Sequence, residues 1–423
     1  MINYILLNLL LVLLYVYWLY KLKHAEHMFQ LESYKPERYF KWAKNNKTIY
    51  LKELLLLIPT VLVFFNKTVG LLINIVLLVF LWFTRKKYIE KKPLVNTNRI
   101  KRMDVTEIII FLIIAIIANF KLDLIAIVLN IFIIFSYMFL LIIHFINSPI
   151  EKSIQKKFYK RAKNKLKDNS NLKVVGVTGS YGKTSTKYIL GTILEQKFNT
   201  LITPESYNTT MGVVRTINEK LNNTHEVFVC EMGAKNIGDI EEICELVNPT
   251  YGVLTAIGPQ HLETFKTLEN VQKTKLELID SLPEKEGIAF INYEDKNIVN
   301  SKINKNQIKF GLNKNCDYYA DNIFIDENGS NFDVHTKNAE IISVKTKLLG
   351  RHNILNIVGA VAVASELGVS VPQIKAGIRF LKPVMHRLEL KKNPNGSIII
   401  DDAYNSNTTR SKNGTRGFRR FYK

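Results

Sequence analysis

The sequence is poor in cysteine, with only Cys230, Cys244 and Cys316 among 423 residues. Three widely spaced cysteines are too few for a zinc site or a disulfide framework, so we predict buried, reduced thiols. No internal repeat is evident. The first twenty residues also lack a positively charged start and a small-residue cleavage site, which argues against a cleavable signal peptide.

Acidic residues are scarce in the first 170 positions, where 26 basic and 10 acidic side chains give +16 of the net charge of +21. Residues 171–407 carry only −1, and the last sixteen residues add six basic side chains. A soluble nucleic-acid-binding protein concentrates positive charge on a folded domain, whereas here most of the charge lies between apolar runs. We therefore predict no nucleic-acid partner.

Five apolar runs separate these basic clusters: residues 2–20, 54–65, 69–83, 108–120 and 124–146. The first and last are long enough to cross a bilayer, while the middle three need flanking residues to do so. The runs predict an all-α membrane region over residues 1–150, with about five spans and the lipid bilayer as a partner. The alternative is that the shorter runs are buried core helices of a soluble domain.

Charge placement predicts an orientation for these spans. Segments 21–47, 85–102 and 152–167 hold seven, eight and eight basic residues, whereas 66–68 and 121–123 are nearly bare. Because basic loops stay in the cytoplasm, we predict an N-terminus outside, a multi-pass location in the cell membrane and a cytoplasmic chain after residue 146. Residues 151–171 are expected to be a basic linker.

An alternating α/β pattern begins at residue 172. Strand-like runs at 173–177, 226–230, 252–256, 287–292 and 307–310 are interleaved with helical spacing at 184–196, 210–221, 237–247 and 268–282. This order predicts a mostly parallel sheet covered on both faces, with ligands bound at the carboxyl ends of its strands. Short antiparallel strands over 323–347 and two closing helices, 354–367 and 372–380, are expected to follow.

The first of these strands leads into a phosphate-binding loop in the segment VVGVTGSYGKTSTK, residues 174–187. Gly179 and Gly182 let the backbone approach an anion, and the amides of the following helix point at the phosphates. Lys183 is placed to contact phosphate and Thr184 to bind Mg²⁺. The strict pattern has a further glycine four residues before the Gly-Lys pair, which this sequence lacks. An ordinary strand-to-helix turn is the alternative.

Two polar residues follow neighbouring strands. Glu231 ends the run VFVCE, where its carboxylate would face the phosphate loop and hold a metal ion. A helix cap for the helix near Asn236 is an equal alternative for Glu231. His261 follows the next strand, although a lone histidine is more often a surface or packed residue than a ligand.

Seven segments occur in the order TGSYGKTSTK, EMGAKNIGDI, IGPQHLETF, QKTKLELIDSLPEKEGIAFIN, GRHNILNIVGAVA, HRLE and DDAYNSN. Over residues 172–407 this order and spacing resemble the Mur ligase family. Within it the motifs are most similar to the type that joins D-alanyl-D-alanine to UDP-N-acetylmuramoyl-tripeptide. The resemblance implies a central ATP-binding domain with a P-loop-type sheet at 172–383 and the start of a C-terminal ligase domain at 384–407.

The resemblance also implies roles for individual residues. The ATP-binding residues would be Gly179, Ser180, Gly182, Lys183, Thr184, Ser185, His352, Asn353, Arg387 and Asp402. Two Mg²⁺ ions would be held by Thr184, Glu231, His261 and a carbamylated Lys275. Lys183, Lys275 and His261 would be catalytic.

The implied chemistry is ATP-dependent amide ligation in peptidoglycan precursor synthesis. A peptide carboxylate would be activated as an acyl phosphate, and the amine of D-alanyl-D-alanine would attack it. Negative charge develops on oxygen in each step, which Mg²⁺ and Lys183 would stabilise. No catalytic role is expected before residue 172.

Two departures from the family pattern qualify this expectation. Apolar runs stand where such ligases carry a domain for the uridine end of the acceptor, so the acceptor is expected to be a UDP-linked or a lipid-linked muramoyl peptide. Membrane anchoring would place the ligase at the cytoplasmic leaflet, near lipid-linked or membrane-channelled precursors. The sequence also ends soon after DDAYNSN, in a basic tail over 408–423 that cannot form a core. We expect little ligase activity from this polypeptide alone. The alternatives are a family ligase for another acceptor and a non-catalytic, membrane-anchored ATP-binding remnant.

Overall fold

The structure is a computed structural model that describes residues 2–46, 51–85, 93–120, 122–326, 329–383, 389–392 and 398–401. Arg387, Asp402 and the tail 408–423 lie outside these residues. The chain divides into two units, Met1–Ile154 and Gln155–Lys423, called unit 1 and unit 2 below.

Unit 1 is helical wherever it has regular structure in the described ranges. Its elements are α1 (Ile2–Leu31), α2 (Pro36–Asn45), a 3-10 helix (Glu53–Leu56), α3 (Leu57–Phe65), α4 (Lys67–Phe83), α5 (Asn98–Phe120), α6 (Leu122–Ile134) and the beginning of α7 (Ser136–Lys167). Leu7, Leu10, Leu14 and Trp18 repeat at helical spacing along α1 and are buried in the core of the unit. The all-α architecture predicted for this region is therefore present.

Helices α3 and α4 form a tight hairpin around Asn66. The Asn66 side chain accepts a hydrogen bond from the backbone N–H of Val69 and caps α4. Gly70 then lies against Val63, where an added Cβ would come within 2.6–2.8 Å of Val63 atoms. The close approach of these two helices thus depends on a residue without a side chain.

The five predicted spans are not supported. In the described residues, one helix, Tyr4–Leu31, is long and apolar enough to cross a membrane, and there are two such spans only if the bent pair Ile127–Ile134 and Ser136–Lys167 counts as one. Helices α3 and α4 have 9 and 17 residues, short of the roughly 20 that a bilayer requires. The apolar run over 124–146 is not one continuous helix, because the chain turns by 91° between α6 and α7.

Most of the segment expected to be a linker, 151–171, is helical, because α7 continues to Lys167. In unit 2, Ala162 is buried in a core cluster, with Tyr159 and Leu166 packed against it at helical spacing. Lys165 Nζ donates to the carbonyl oxygens of Asn218 and Leu221 at 2.9 and 3.0 Å. A basic residue thereby binds carbonyls at the end of another helix, where they have no helical partners.

Unit 2 contains a nine-stranded sheet in the order β2-β3-β1-β4-β5-β6-β7-β8-β9. Its strands are β1 (Lys173–Thr178), β2 (Thr200–Ile202), β3 (Val227–Glu231), β4 (Tyr251–Leu254), β5 (Ile288–Asn292), β6 (Asn306–Gly311), β7 (Tyr318–Asp326), β8 (Gly329–His335) and β9 (Ile341–Thr346). Pairings are parallel from β2 to β7 and antiparallel from β7 to β9. The predicted mostly parallel α/β sheet is confirmed.

Helices cover this sheet on both faces. They are α8 (Lys183–Leu194), α9 (Thr210–Lys220), α10 (Asp239–Val247), α11 (Leu262–Phe265), α12 (Leu268–Asp280), α13 (Lys296–Val299), α14 (Arg351–Glu366) and α15 (Val371–Arg379). One core cluster includes α8, α14 and α15, and the other includes α9, α10 and α12. A separate two-stranded sheet pairs β10 (Glu389–Lys392) with β11 (Ile398–Asp401). The five predicted parallel-sheet strands and the six predicted helices are present, with ends that differ by a few residues.

The cysteines are buried and free, as predicted. Burial raises the pKa of Cys244 to about 12, and it raises the pKa of Cys230 well above the ordinary thiol range. These thiols stay protonated at neutral pH and have no thiolate to offer as a nucleophile or metal ligand.

Candidate nucleotide-binding site

The predicted phosphate loop joins β1 to α8 at the carboxyl end of the sheet. Gly179 and Gly182 have φ angles of +148° and +84°, a region that side chains disfavour. Gly182 directly precedes α8, so the first amides of that helix point toward the loop. The loop therefore has the backbone conformation and the helix end that an anion site requires.

The loop is held by the segment that follows β4. Ser180 Oγ donates to the carbonyl oxygen of Gly258 at 2.9 Å and accepts from its N–H at 3.0 Å. The Thr255 hydroxyl hydrogen-bonds to backbone carbonyls of the loop, including that of Tyr181. Asn292 in turn donates to the Thr255 carbonyl oxygen at 2.7 Å. Ser180, predicted to bind nucleotide, thus shapes the loop through its side chain.

Glu231 ends β3 beside this loop, because β1 and β3 pair in parallel with Val177 opposite Glu231. Its carboxylate is buried, and Oε1 accepts hydrogen bonds from the Thr184 hydroxyl at 3.1 Å and the Asn208 amide at 3.0 Å. Oε2 lies 3.1 Å from Lys187 Nζ, an ion pair without hydrogen-bond geometry. Two residues that the sequence predicted to bind metal are therefore in contact, which favours a site over the alternative helix cap.

Sequence reasoning missed Lys187, Asn208 and Asn356. Lys187 is fully buried and also donates to the Glu205 carbonyl oxygen at 2.6 Å. It lies three positions after Thr184 on α8, so helical spacing places both on one face and could have identified it. Asn356 contacts the same helix through the Thr186 hydroxyl at 3.2 Å, and the local sequence gives no signal for it.

Lys183 and Lys275 interact electrostatically at the loop. Lys183 Nζ donates to the Gly179 carbonyl oxygen at 2.6 Å. Lys275 lies on α12 and is only 2% exposed, and this burial, together with the charge of Lys183, lowers its pKa to about 7. A substantial fraction of the Lys275 amine is therefore neutral near neutral pH. The structure singles out Lys275 from its exposed neighbour Lys273, a distinction that the sequence pattern could not make.

The other predicted site residues have varied surroundings. His261 is exposed and directly precedes α11 with a left-handed backbone, φ +53°. Ser185 is buried in the first turn of α8, and Asn353 is buried with its amide donating to the Leu349 carbonyl oxygen at 2.8 Å. His352 is half-buried beside Gly350. Metal binding by His261 and nucleotide binding by His352, Asn353, Arg387 and Asp402 stay predictions.

The conspicuous GDI sequence near the site has a structural role. The Glu277 carboxylate of α12 accepts hydrogen bonds from the N–H groups of Gly238, Ile240 and Glu241 at 2.7–3.1 Å. These donors are at the beginning of α10, where no helical partner exists for them. The contact fixes α10 to the helix that carries Lys275.

Together, these side chains can supply oxygen ligands and positive charge at one end of the sheet. A hydroxyl and a carboxylate are ligands that Mg²⁺ prefers, and the loop amides with Lys183 suit phosphate oxygens. The arrangement therefore fits a nucleotide with Mg²⁺.

Comparison with known proteins agrees with this fold. Residues 177–364 match the family described as the Mur ligase middle domain. Over these residues the chain is similar to the Mur ligase family.

Its relatives are of the MurF type. The chain is 35% identical over 239 residues to UDP-N-acetylmuramoyl-tripeptide–D-alanyl-D-alanine ligase of Escherichia coli, covering 56% of this chain and 52% of the relative. The enzyme of the same name from Buchnera aphidicola is 34% identical over 250 residues, covering 57% and 53%. The chain thus spans about half the length of these relatives.

A solved structure of MurF ligase from Thermotoga maritima in complex with ADP aligns with a TM-score of 0.58 and 29% identity. The alignment covers 63% of this chain and 61% of that one. MurF from Acinetobacter baumannii aligns with the same TM-score and identity, covering 62% and 57%.

Proposed function

We propose that this chain is an ATP-dependent ligase of the MurF type, which joins D-alanyl-D-alanine to UDP-N-acetylmuramoyl-tripeptide through an acyl phosphate. The main support is the buried Glu231 carboxylate, which contacts Thr184 beside a glycine-rich loop. The relatives named for this reaction and the ADP complex of one of them agree with it. The pathway would be peptidoglycan precursor synthesis.

Each residue of the loop would have a defined task. Lys183 would move from the Gly179 carbonyl oxygen to phosphate oxygens, and the amides at the start of α8 would bind the same oxygens. Thr184 and Glu231 would hold Mg²⁺, with His261 as a further ligand. Lys187 would orient the Glu231 carboxylate, because it lies 3.1 Å from the carboxylate oxygen that Thr184 does not contact.

Lys275 would carry a second Mg²⁺ after carbamylation. Carbon dioxide reacts with a neutral amine, and a pKa of about 7 makes that form available. The product replaces a cation by a carbamate anion, which removes the repulsion between Lys275 and Lys183 and adds oxygen ligands. ¹³C NMR after incubation with ¹³C-bicarbonate tests this step. A carbamate signal is expected for the unmodified chain and for Lys273→Ala, and its retention in Lys275→Met would refute the assignment.

When bound, ATP supplies the phosphoryl group that activates the acceptor carboxylate. The chain's own contribution would be charge stabilisation, because Lys183 and the helix amides would bind the oxygens on which negative charge develops. Fixed donors of this kind cost little reorganisation during the reaction.

Calorimetry of the full chain with ATP, with and without Mg²⁺, tests the nucleotide site. We expect Mg²⁺-dependent binding that is lost in Lys183→Ala and kept in Lys273→Ala, a matched change of an exposed lysine. ADP release that depends on UDP-N-acetylmuramoyl-tripeptide then tests the reaction. Nucleotide binding without acceptor-dependent ADP release would favour the non-catalytic, ATP-binding alternative for this polypeptide over an active ligase.

A membrane location for unit 1 is the second part of the proposal. Helix α1 is long enough to span a bilayer, and apolar side chains elsewhere in the unit face outward, with Phe65 and Phe83 85% and 81% exposed. Such exposure of large apolar side chains is unfavourable in water and suits a lipid or protein environment. The membrane would bring the ligase close to lipid-linked precursors.

Flotation of the full chain with vesicles tests the membrane location. Binding to the vesicles should persist at high salt, because apolar contacts are not screened.

Acceptor preference is a separate question. Comparing UDP-linked with lipid-linked muramoyl tripeptide in the ADP-release assay decides it, and turnover of the UDP-linked form alone would reject a lipid-linked acceptor.

A further inference from the structure

Three carboxylates converge in unit 1. Glu26 lies near the end of α1, while Asp104 and Glu107 lie three positions apart on α5 and therefore share a helix face. One oxygen from each residue lies within 4.8 Å of the other two. This acidic cluster belongs to a different unit from the nucleotide site and has no role in the proposed ligase reaction.

The single nearby ammonium group in the described contacts does not satisfy this cluster. Lys23 Nζ donates to Glu26 Oε2 at 2.8 Å and to Asp104 Oδ1. Glu26 Oε1 and both carboxylate oxygens of Glu107 are buried without a hydrogen-bond partner in the described structure. Glu26 and Glu107 are 0% and 1% exposed. A buried carboxylate without partners is strongly unfavourable, so the cluster must bind either protons or a cation.

We propose that Glu26, Asp104 and Glu107 bind a hard divalent cation, such as Mg²⁺. With all three carboxylates ionised, as cation binding requires, the cluster and the Lys23 ammonium carry a net charge of −2, which a divalent cation neutralises. Carboxylate oxygens without nitrogen or sulfur ligands suit Mg²⁺, Mn²⁺ or Ca²⁺ rather than Zn²⁺ or Cu²⁺. The unpartnered Glu107 is the central ligand, and Lys23 remains beside the site as a permanent counter-charge.

The position of the cluster makes it accessible to ions from solution. Glu26 lies shortly after the apolar run over 2–20, and Lys21 is the first charged residue of α1. Glu107 directly precedes the apolar run over 108–120. Asp104 keeps 27% of its side-chain surface exposed, which gives an ion a route to the two buried ligands. The cation would tie α1 to α5 and fix the N-terminal helix within the unit.

All three tryptophans, Trp18, Trp42 and Trp82, belong to unit 1. Thermal unfolding of the full chain in detergent, followed by tryptophan fluorescence without nucleotide, therefore reports on the unit that contains the cluster. Mg²⁺ or Mn²⁺ should raise the Tm of this transition, because an ion that binds only the folded state stabilises it. Mn²⁺ electron paramagnetic resonance counts the ions bound.

Glu107→Gln should remove one Mn²⁺ equivalent or weaken Mn²⁺ binding by more than the roughly 10–100-fold loss that follows removal of a group outside the ligand shell. Glu37→Gln, an exposed change in the same unit, is the matched control and should leave binding unchanged. Unchanged Mn²⁺ binding in Glu107→Gln, with a Tm raised in the absence of metal, would overturn the proposal and show that the cluster holds protons.

Lys23→Met provides a second variant that does not alter a ligand. Removing the ammonium raises the net negative charge of the cluster, so the site should bind Mn²⁺ more tightly while the metal-free protein loses stability. Equal Mn²⁺ affinity in Lys23→Met and the unmodified chain would contradict the cation site. ATP binding by unit 2 is measured in parallel and should be the same in all these variants, which separates this proposal from the ligase function.

Discussion

The Thr184 hydroxyl donates a hydrogen bond to Glu231 Oε1, and this 3.1 Å contact joins the first turn of α8 to the end of β3. Parallel pairing of β1 with β3 places the two residues at the same edge of the sheet. Lys187 balances the other carboxylate oxygen one turn further along α8. The charge balance of the site thus depends on the ion pair between Glu231 and Lys187, both of which are almost fully buried.

We expect Glu231→Gln to lower the free energy of unfolding by about 3–5 kcal/mol, because it leaves the Lys187 ammonium buried without its counter-charge. Urea unfolding of unit 2, followed by far-ultraviolet circular dichroism, measures the change. Glu231→Gln/Lys187→Met removes both charges and should regain a large part of the loss. Mg²⁺-dependent ATP binding should be lost in both the single and the double variant. Equal stability of the single and double variants would contradict this account of the pair.

Gly179→Ala should destabilise unit 2 more than Gly238→Ala does. Both glycines have positive φ angles, +148° and +88°, so each change costs backbone strain of about 1–3 kcal/mol. An added Cβ at Gly179 would also lie 2.1 Å from Thr255 Oγ1 and 2.9 Å from backbone atoms of Ala256, whereas no atom lies within 4 Å at Gly238. Urea midpoints of the two variants give the comparison.

The difference between these two variants includes the steric overlap with Thr255 and Ala256, which only Gly179→Ala produces. Similar midpoints would mean that the loop moves away from Thr255 at little cost. ATP binding should fall in Gly179→Ala alone, because only that glycine belongs to the phosphate loop.

The sequence predicted most of the sheet in unit 2 because each central strand is an apolar run, and parallel strands place their carboxyl ends at one edge. That argument predicted that the Glu231 carboxylate faces the phosphate loop. Strand β2 was missed because it has three residues, of which only Leu201 is fully buried. The pairing of Lys187 with Glu231 depends on tertiary contacts, including the loop that carries Glu205 and Asn208, which local patterns do not encode.

The sequence was less informative about unit 1. Residues 122–146 contain neither glycine nor proline, so their composition does not indicate the sharp turn between α6 and α7. Asn130 donates from α6 to the Thr60 hydroxyl at 3.0 Å, a contact between distant parts of the chain. Hydropathy identifies the apolar residues here, but tertiary packing decides where their helices end.

Gly70→Ala should destabilise unit 1, although replacing glycine by alanine within a helix ordinarily stabilises by about 0.5–1 kcal/mol. The sign reverses because the new Cβ would lie 2.7 and 2.8 Å from the backbone N and Cα of Val63, which a rotamer change cannot relieve. Thermal unfolding followed by tryptophan fluorescence measures the Tm. Val69→Ala, an exposed change on the same helix, should have a small effect. A higher Tm for Gly70→Ala would show that α3 and α4 separate easily.

Lys275 should make the stability of unit 2 rise with pH between about 7 and 10. Its folded-state pKa is lowered to about 7, chiefly by burial, while an unfolded lysine titrates near 10.4. Between these values the unfolded chain binds a proton that the folded chain does not, so raising the pH favours folding. Below about 7 both states are protonated, and the full cost of burying the charge is present and constant.

Urea unfolding midpoints of unit 2 at a series of pH values, measured without bicarbonate so that the lysine stays unmodified, test this dependence. Lys275→Met keeps the apolar stem of the side chain without the ammonium and should flatten the rise. Lys273→Met changes an exposed lysine on the same helix and should preserve it. Parallel curves for the unmodified chain and Lys275→Met would show that Lys275 keeps its proton in the folded state, and carbamylation at neutral pH would then lose its chemical basis.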